Sequence, residues 1–189
     1  MTWNLTYAMF NGILGVSRSS WWFLTMGAFY LLIGMMRIFA LSMHVRSLNR
    51  NRKLLKYTGI GIILAGIVLS WIVDLSIRFR HNPIRSTGLM AVIAVCTFGL
   101  VGNSIRNVIK AQRQKSAVMI TVRNIACVSA IVSLFSLERA MLRSFGTASW
   151  ETIFMMESIS GGTAMFIVAL IGVSMIIQSR KYEDPEKGA

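Results

Sequence analysis

Five long apolar runs, at residues 21–45, 57–77, 87–109, 117–137 and 152–177, leave a chain like this few ways to fold. A helix needs roughly 20 mostly apolar residues to cross the hydrocarbon of a bilayer, and each run is that long. No soluble core absorbs so much apolar surface: charged residues make up 14% of the chain, against about 25% in soluble domains. Inside a bilayer the backbone must satisfy its own N–H and C=O groups, so apolar runs of this length are read as helices. The expected fold is an all-α membrane protein, a bundle of about five transmembrane helices preceded by a short N-terminal interfacial or re-entrant helix. The N-terminal helix is placed at 1–18, the bundle at 19–179 and a polar tail at 180–189.

The stretch from Trp3 to Val16 is apolar but too short for an ordinary span. Trp3, Tyr7, Phe10 and Leu14 fall on one side of a helix and Asn4, Ala8, Asn11 and Gly15 on another, which gives an amphipathic stripe. No positive charge precedes Arg18 and no small-residue cleavage site follows, so a cleaved secretory signal is not expected and the mature protein is taken to start at Met1. The two cysteines, Cys96 and Cys127, each stand alone in an apolar run and form neither a CxxC pair nor a metal-spaced cluster. No metal and no cofactor is expected.

A formal charge of +13 in a soluble protein would point to nucleic acid. In a membrane protein it reflects the crowding of Lys and Arg into cytoplasmic loops, against anionic lipid headgroups. Anionic lipid is therefore the expected partner, and nucleic acid is not. Twelve basic residues, from Arg46 to Lys56, Arg106 to Lys115 and Arg180 to Lys187, fall on one side of the predicted bundle, and six, Arg18, Arg78, Arg80, Arg85, Arg139 and Arg143, on the other. This puts the N-terminus outside and the C-terminus in the cytoplasm. A sixth crossing made from the N-terminal stretch would put both termini inside without changing the later loops.

Ionisable groups inside spans are costly and face a partner or a cavity, so they are the best pointers to function. Asp74, Glu138, Glu151 and Glu157 all fall toward the predicted outer ends of their helices, near Arg78, Arg80, Arg139 and Arg143. Two readings stay open: an ion-pair network that ties helix ends together, or a polar vestibule for a cation or zwitterion. Toward the inner face, Gly27, Tyr30, Gly34 and Arg37 share one side of the first span by helical spacing. That side is expected to face protein, with Asn103, Asn124, backbone carbonyls or a bound anion or lipid phosphate as acceptors for Arg37. The alternative for Arg37 is snorkelling to the headgroups, and Arg106 and Arg123 are read as lipid anchors at helix ends. The tentative ligand-binding set is Arg37, Tyr30, Asn103, Asn124, Asp74, Glu138 and Glu157. Pairs of small residues, Gly61 with Ala65, Gly66 with Ser70, Ser158 with Gly162 and Ser160 with Ala164, mark seams within or between protomers.

Enzymatic chemistry is poorly supplied. His44 and His81 fall on opposite sides of the predicted bundle, and no GxSxG, HExxH or Walker-type stretch occurs. No catalytic residue is assigned. The stretches YAMFNGILGVSRSSWWFLTMGAFYLLIGMMRI, Tyr7 to Ile38, and SLFSLERAMLRSFG, Ser133 to Gly146, resemble a group of small multipass membrane proteins from Firmicutes. The order of spans matches over most of the chain. That group has no assigned activity, so the resemblance carries over no site residues; its pattern has a polar amide where this chain has Glu138. The expected setting is a bacterial inner (plasma) membrane. The expected function is non-enzymatic, binding or passing a small solute, ion or lipid, in a homo-oligomer. An accessory subunit acting through a protein partner is the alternative, and an intramembrane enzyme the third.

Overall fold

The computed structural model of the protein describes residues 2–17, 21–42, 49–78, 87–112, 117–145 and 149–181. All of them except Ser149 are helical. The helices are α1 (Thr2–Ser17), α2 (Trp21–Ser42), α3 (Asn49–Arg78), α4 (Thr87–Gln112), α5 (Ala117–Phe145) and α6 (Trp150–Lys181). Both prolines, Pro83 and Pro185, lie outside them, as the missing N–H and fixed φ of proline require. The start of α6 is capped by Ser149, whose Oγ lies 3.4 Å from the Thr152 amide as its acceptor, with Glu151 in the first turn complementing the helix dipole.

The molecule is an all-helical membrane bundle. Segments Trp21–Ser42, Arg52–Trp71, Ala117–Leu142 and Glu151–Arg180 are long and apolar enough to cross a bilayer. Within α4 the apolar stretch is Ala91–Arg106, and within α1 it is Leu5–Ser17. Several helices outrun the expected spans: α3 starts eight residues before position 57 and α5 ends eight after position 137. Hydropathy marks where the hydrocarbon ends, whereas the helix continues into polar surroundings as long as its hydrogen bonds do.

Close approaches fix the register. Cβ atoms built on Gly15 and Gly27 would lie 2.6 Å from the Leu24 amide nitrogen and 3.0 Å from that of Gly12, so α1 and α2 form a tight antiparallel hairpin. Tyr7 meets Tyr30 edge to face, with ring centroids 4.7 Å apart. Followed to its start, this register brings Thr2 level with about Met36. The helix α1 thus runs lengthwise along α2, as a re-entrant or crossing helix does, and does not lie across the end of the bundle. Its start points to the same end of the bundle as the end of α6.

The largest contact joins α3 to α6. A Cβ on Gly59 would meet the Gly172 carbonyl oxygen at 2.9 Å, and Gly66 faces Val168, so these two helices are also antiparallel. Of the expected small-residue seams, Ala65, Gly66 and Ala164 are buried, while Ser158 and Gly162 are exposed. Gly172, which no spacing rule singled out, makes the close crossing with Gly59.

The helix α5 is the axis of the bundle, packing against α2, α3, α4 and α6. Its composition explains this placement. Thr121, Asn124, Ser129, Ser133 and Ser136 are spread around it and all are buried, which hydrocarbon would not tolerate but surrounding helices can satisfy. By contrast α6 leaves Phe154, Met155, Ile159, Phe166, Leu170 and Ile177 exposed along one side. Such a mostly apolar face suits lipid or another protein.

Candidate functional site

The contact between α2 and α5 carries a file of buried polar groups at three levels. At one end, the end opposite the clustered basic residues, the Arg139 Nε lies 3.5 Å from Glu157 Oε1, and both side chains are almost wholly buried, at 4% and 2% exposure. The Arg139 Cζ sits 3.7 Å from the centroid of the Trp22 ring, a cation–π contact that adds to the attraction of the carboxylate. Trp22 is braced in turn by Phe135, edge to face at 6.2 Å. Three helices, α2, α5 and α6, are tied together at this level.

The middle level contains Tyr7, Asn11, Tyr30, Thr97, Ser133 and Ser136, all buried. The Tyr7 and Thr97 hydroxyls are 3.4 Å apart, and Asn11 Nδ2 donates to the Tyr7 carbonyl one turn back. Ser133 donates its own proton to the Ala130 carbonyl, and its oxygen, which keeps lone pairs to accept with, stands near the Tyr30 phenol. The Tyr30 hydroxyl is buried without a hydrogen-bond partner among the described residues.

The third level holds Arg37 and Asn124, at 5% and 7% exposure. Since Trp22 faces Phe135 and Arg139, moving fifteen residues along α2 to Arg37 corresponds to the turn of α5 from Ile120 to Asn124. Arg37 carries no hydrogen bond or ion pair to any described residue. Asn124 Oδ1 accepts from Arg123 Nε at 3.5 Å, while its Nδ2 has no partner. Asn124 is the expected acceptor for Arg37; no hydrogen bond joins the two, the Asn124 oxygen accepts from Arg123 and its unpartnered group is a donor.

The remaining expected site residues are scattered. Glu138 is exposed and makes no ion pair with a described residue: it is one residue from Arg139 but about 100° round α5 from it. Asp74 is exposed and engaged in an interaction of its own. Asn103 is half-buried on α4, which packs chiefly on α5, and it does not join Arg37 through any hydrogen bond. The side chains of Arg78, Arg80 and Arg143, and both histidines, lie outside the described residues. Cys96 and Cys127 are half-buried thiols; Cys127 accepts from Ser104 at 3.8 Å. Among the described residues no three His, Cys, Asp or Glu side chains gather as a metal-binding group. Trp22, Tyr7, Asn11 and Thr97 were not in the expected site, although a tryptophan pair opening a span and tyrosine on the polar stripe of α1 are visible in the sequence.

Comparison with protein-family models, curated proteins and solved structures finds no match to this chain.

Proposed function

We propose that this protein is a small non-enzymatic membrane protein that binds or passes a small solute, ion or lipid along the seam between α2 and α5. One observation carries the reading: on that seam the Tyr30 hydroxyl and the Asn124 Nδ2 are buried without hydrogen-bond partners among the described residues, beside Arg37, a buried residue with no ion pair to a described residue. Burying the hydroxyl and the amide donor unpaired costs about 1–3 kcal/mol each. Apolar side chains of similar size would pack the same helices without that cost, so a bound molecule is the natural partner. The stretches Tyr7 to Ile38 and Ser133 to Gly146, which carry the resemblance to the Firmicutes membrane proteins, supply both walls of this seam except at Asn124. Membership of that group is part of the proposal.

The protein is further proposed to sit in a bacterial plasma membrane with the basic end of the bundle in the cytoplasm, against anionic headgroups. The exposed side of α6, where Ser158 and Gly162 interrupt the apolar face, is the proposed contact with a second copy. The same face is what an accessory subunit would use against a different protein, and copurification of a stoichiometric partner would favour that reading.

The test is a thermal-shift screen of the purified protein against ions, small polar solutes and lipids, paired with flux measurements in proteoliposomes. A stabilising ligand whose effect is lost in Tyr30→Phe or Arg37→Gln supports the proposal. Stabilisation by none of them, with no flux above empty liposomes, overturns it.

A further inference from the structure

We infer that the third level of the seam is a binding site for a phosphate-type oxyanion, held by the Arg37 guanidinium and the Asn124 amide between α2 and α5. The inference rests on the seam being a binding site and names the chemistry it accepts there. Arg37 has five N–H donors and no acceptor, and the unpartnered group of Asn124 is also a donor. The amide orientation is set by Arg123, whose Nε donates to Oδ1 at 3.5 Å; turning the amide over would bring its NH2 against a guanidinium. By the register of α2 on α5, two positive charges and an amide N–H pair therefore fall at about the same depth in the bundle.

No carboxylate answers them among the described residues. Asp74, Glu138, Glu151 and Glu157 all lie toward the opposite end. On α3 the level of Arg37 is marked by Gly61, whose built Cβ would touch Met36, and on α6 by about Gly172, both without charge. What this level lacks is an acceptor with several oxygens and negative charge, which is what a phosphate offers to a planar guanidinium fork and a neighbouring amide. Arg37 is five residues from the end of α2, about 7.5 Å along the axis. A phosphodiester of a lipid headgroup and free inorganic phosphate both reach that depth.

The experiment uses the full chain, purified in a maltoside detergent and stripped of lipid. One arm adds sodium phosphate, with sodium chloride at equal ionic strength as control. The other adds phosphatidylglycerol, with an uncharged diacylglycerol as control. Thermal stability and native mass spectrometry are the readouts. The wild type should be stabilised by phosphatidylglycerol alone if the source is lipid, and by both probes if free phosphate also enters.

Arg37→Gln should weaken the response at least about tenfold, the worth of one hydrogen bond to a charged group, and Arg37→Lys should weaken it less. Asn124→Asp, which puts a carboxylate at the same level, should stabilise the stripped protein and abolish the response. If neither probe stabilises the wild type beyond its control, or if Arg37→Gln and Asn124→Asp respond as the wild type does, the oxyanion site is refuted. A different solute found by screening, with its effect intact in Arg37→Gln but lost in Tyr30→Phe, would refute the oxyanion while leaving the seam as a binding site.

Discussion

Removing the Glu157 carboxylate takes the counter-charge from the buried Arg139 guanidinium, and the cost can be estimated from the geometry. At 3.5 Å and an effective dielectric constant of about 20, two unit charges attract by about 5 kcal/mol. Loss of one member of a buried pair costs about 3–5 kcal/mol, and near-complete burial of both side chains leaves little screening to reduce it. The Trp22 ring retains part of the stabilisation of the guanidinium, about 1–2 kcal/mol, which sets the expected loss for Glu157→Leu near 3 kcal/mol. At about 2–4 °C per kcal/mol for a chain of this size, the melting temperature in detergent or nanodiscs should fall by about 6–12 °C. Arg139→Leu should cost less, because a carboxyl can take up a proton and become neutral whereas a guanidinium cannot lose one. The double variant Arg139→Leu/Glu157→Leu should recover part of the loss of Glu157→Leu. A Glu157→Leu protein that melts within about 1 °C of the wild type, with the double variant no better, would show that the pair does not hold the outer end together.

The glycine crossings give a second prediction: Gly15→Ala and Gly59→Ala should each destabilise the bundle by about 1–3 kcal/mol, as overpacking does. The added Cβ would meet backbone at 2.6 Å and 2.9 Å; Gly34→Ala, where nothing lies within 4 Å, should be neutral in the same melting assay. For the proposed contact between copies, Gly162→Leu should reduce the oligomer fraction in light scattering without lowering the melting temperature of the monomer. As for orientation, a cysteine at Lys53 should resist membrane-impermeant maleimide in intact cells and one at Ser149 should react; the reverse pattern inverts the topology.

The bundle was legible because a bilayer imposes one rule on every residue of a span: apolar side chains out, backbone satisfied within. Runs of the right length therefore gave the helices α2 to α6 directly. Their ends were less legible, since Arg139 lies beyond the last apolar residue of its run yet is helical and buried. The pairing of helices was legible only in part. Gly66 and Ala164 were on the expected seams, but the close crossing of α3 with α6 uses Gly172, an isolated glycine among β-branched residues with no small partner four positions away. The central place of α5 was written in its serines and threonines, which look like noise beside the hydropathy of the run. At the site, Arg37 and Tyr30 were visible as the polar stripe of α2. Trp22 was not, because a tryptophan at a helix start reads as an interfacial anchor until the partner cation is placed over its ring.

The measurement that bears most directly on the account is an experimental structure in lipid nanodiscs, at a resolution sufficient to see bound molecules between α2 and α5. The account predicts a non-protein group in contact with Arg37 or Asn124, or with the Tyr30 hydroxyl. A seam in which these groups meet only protein or ordered water, or an Arg37 side chain extended to the headgroups with its helix face turned to lipid, would contradict it.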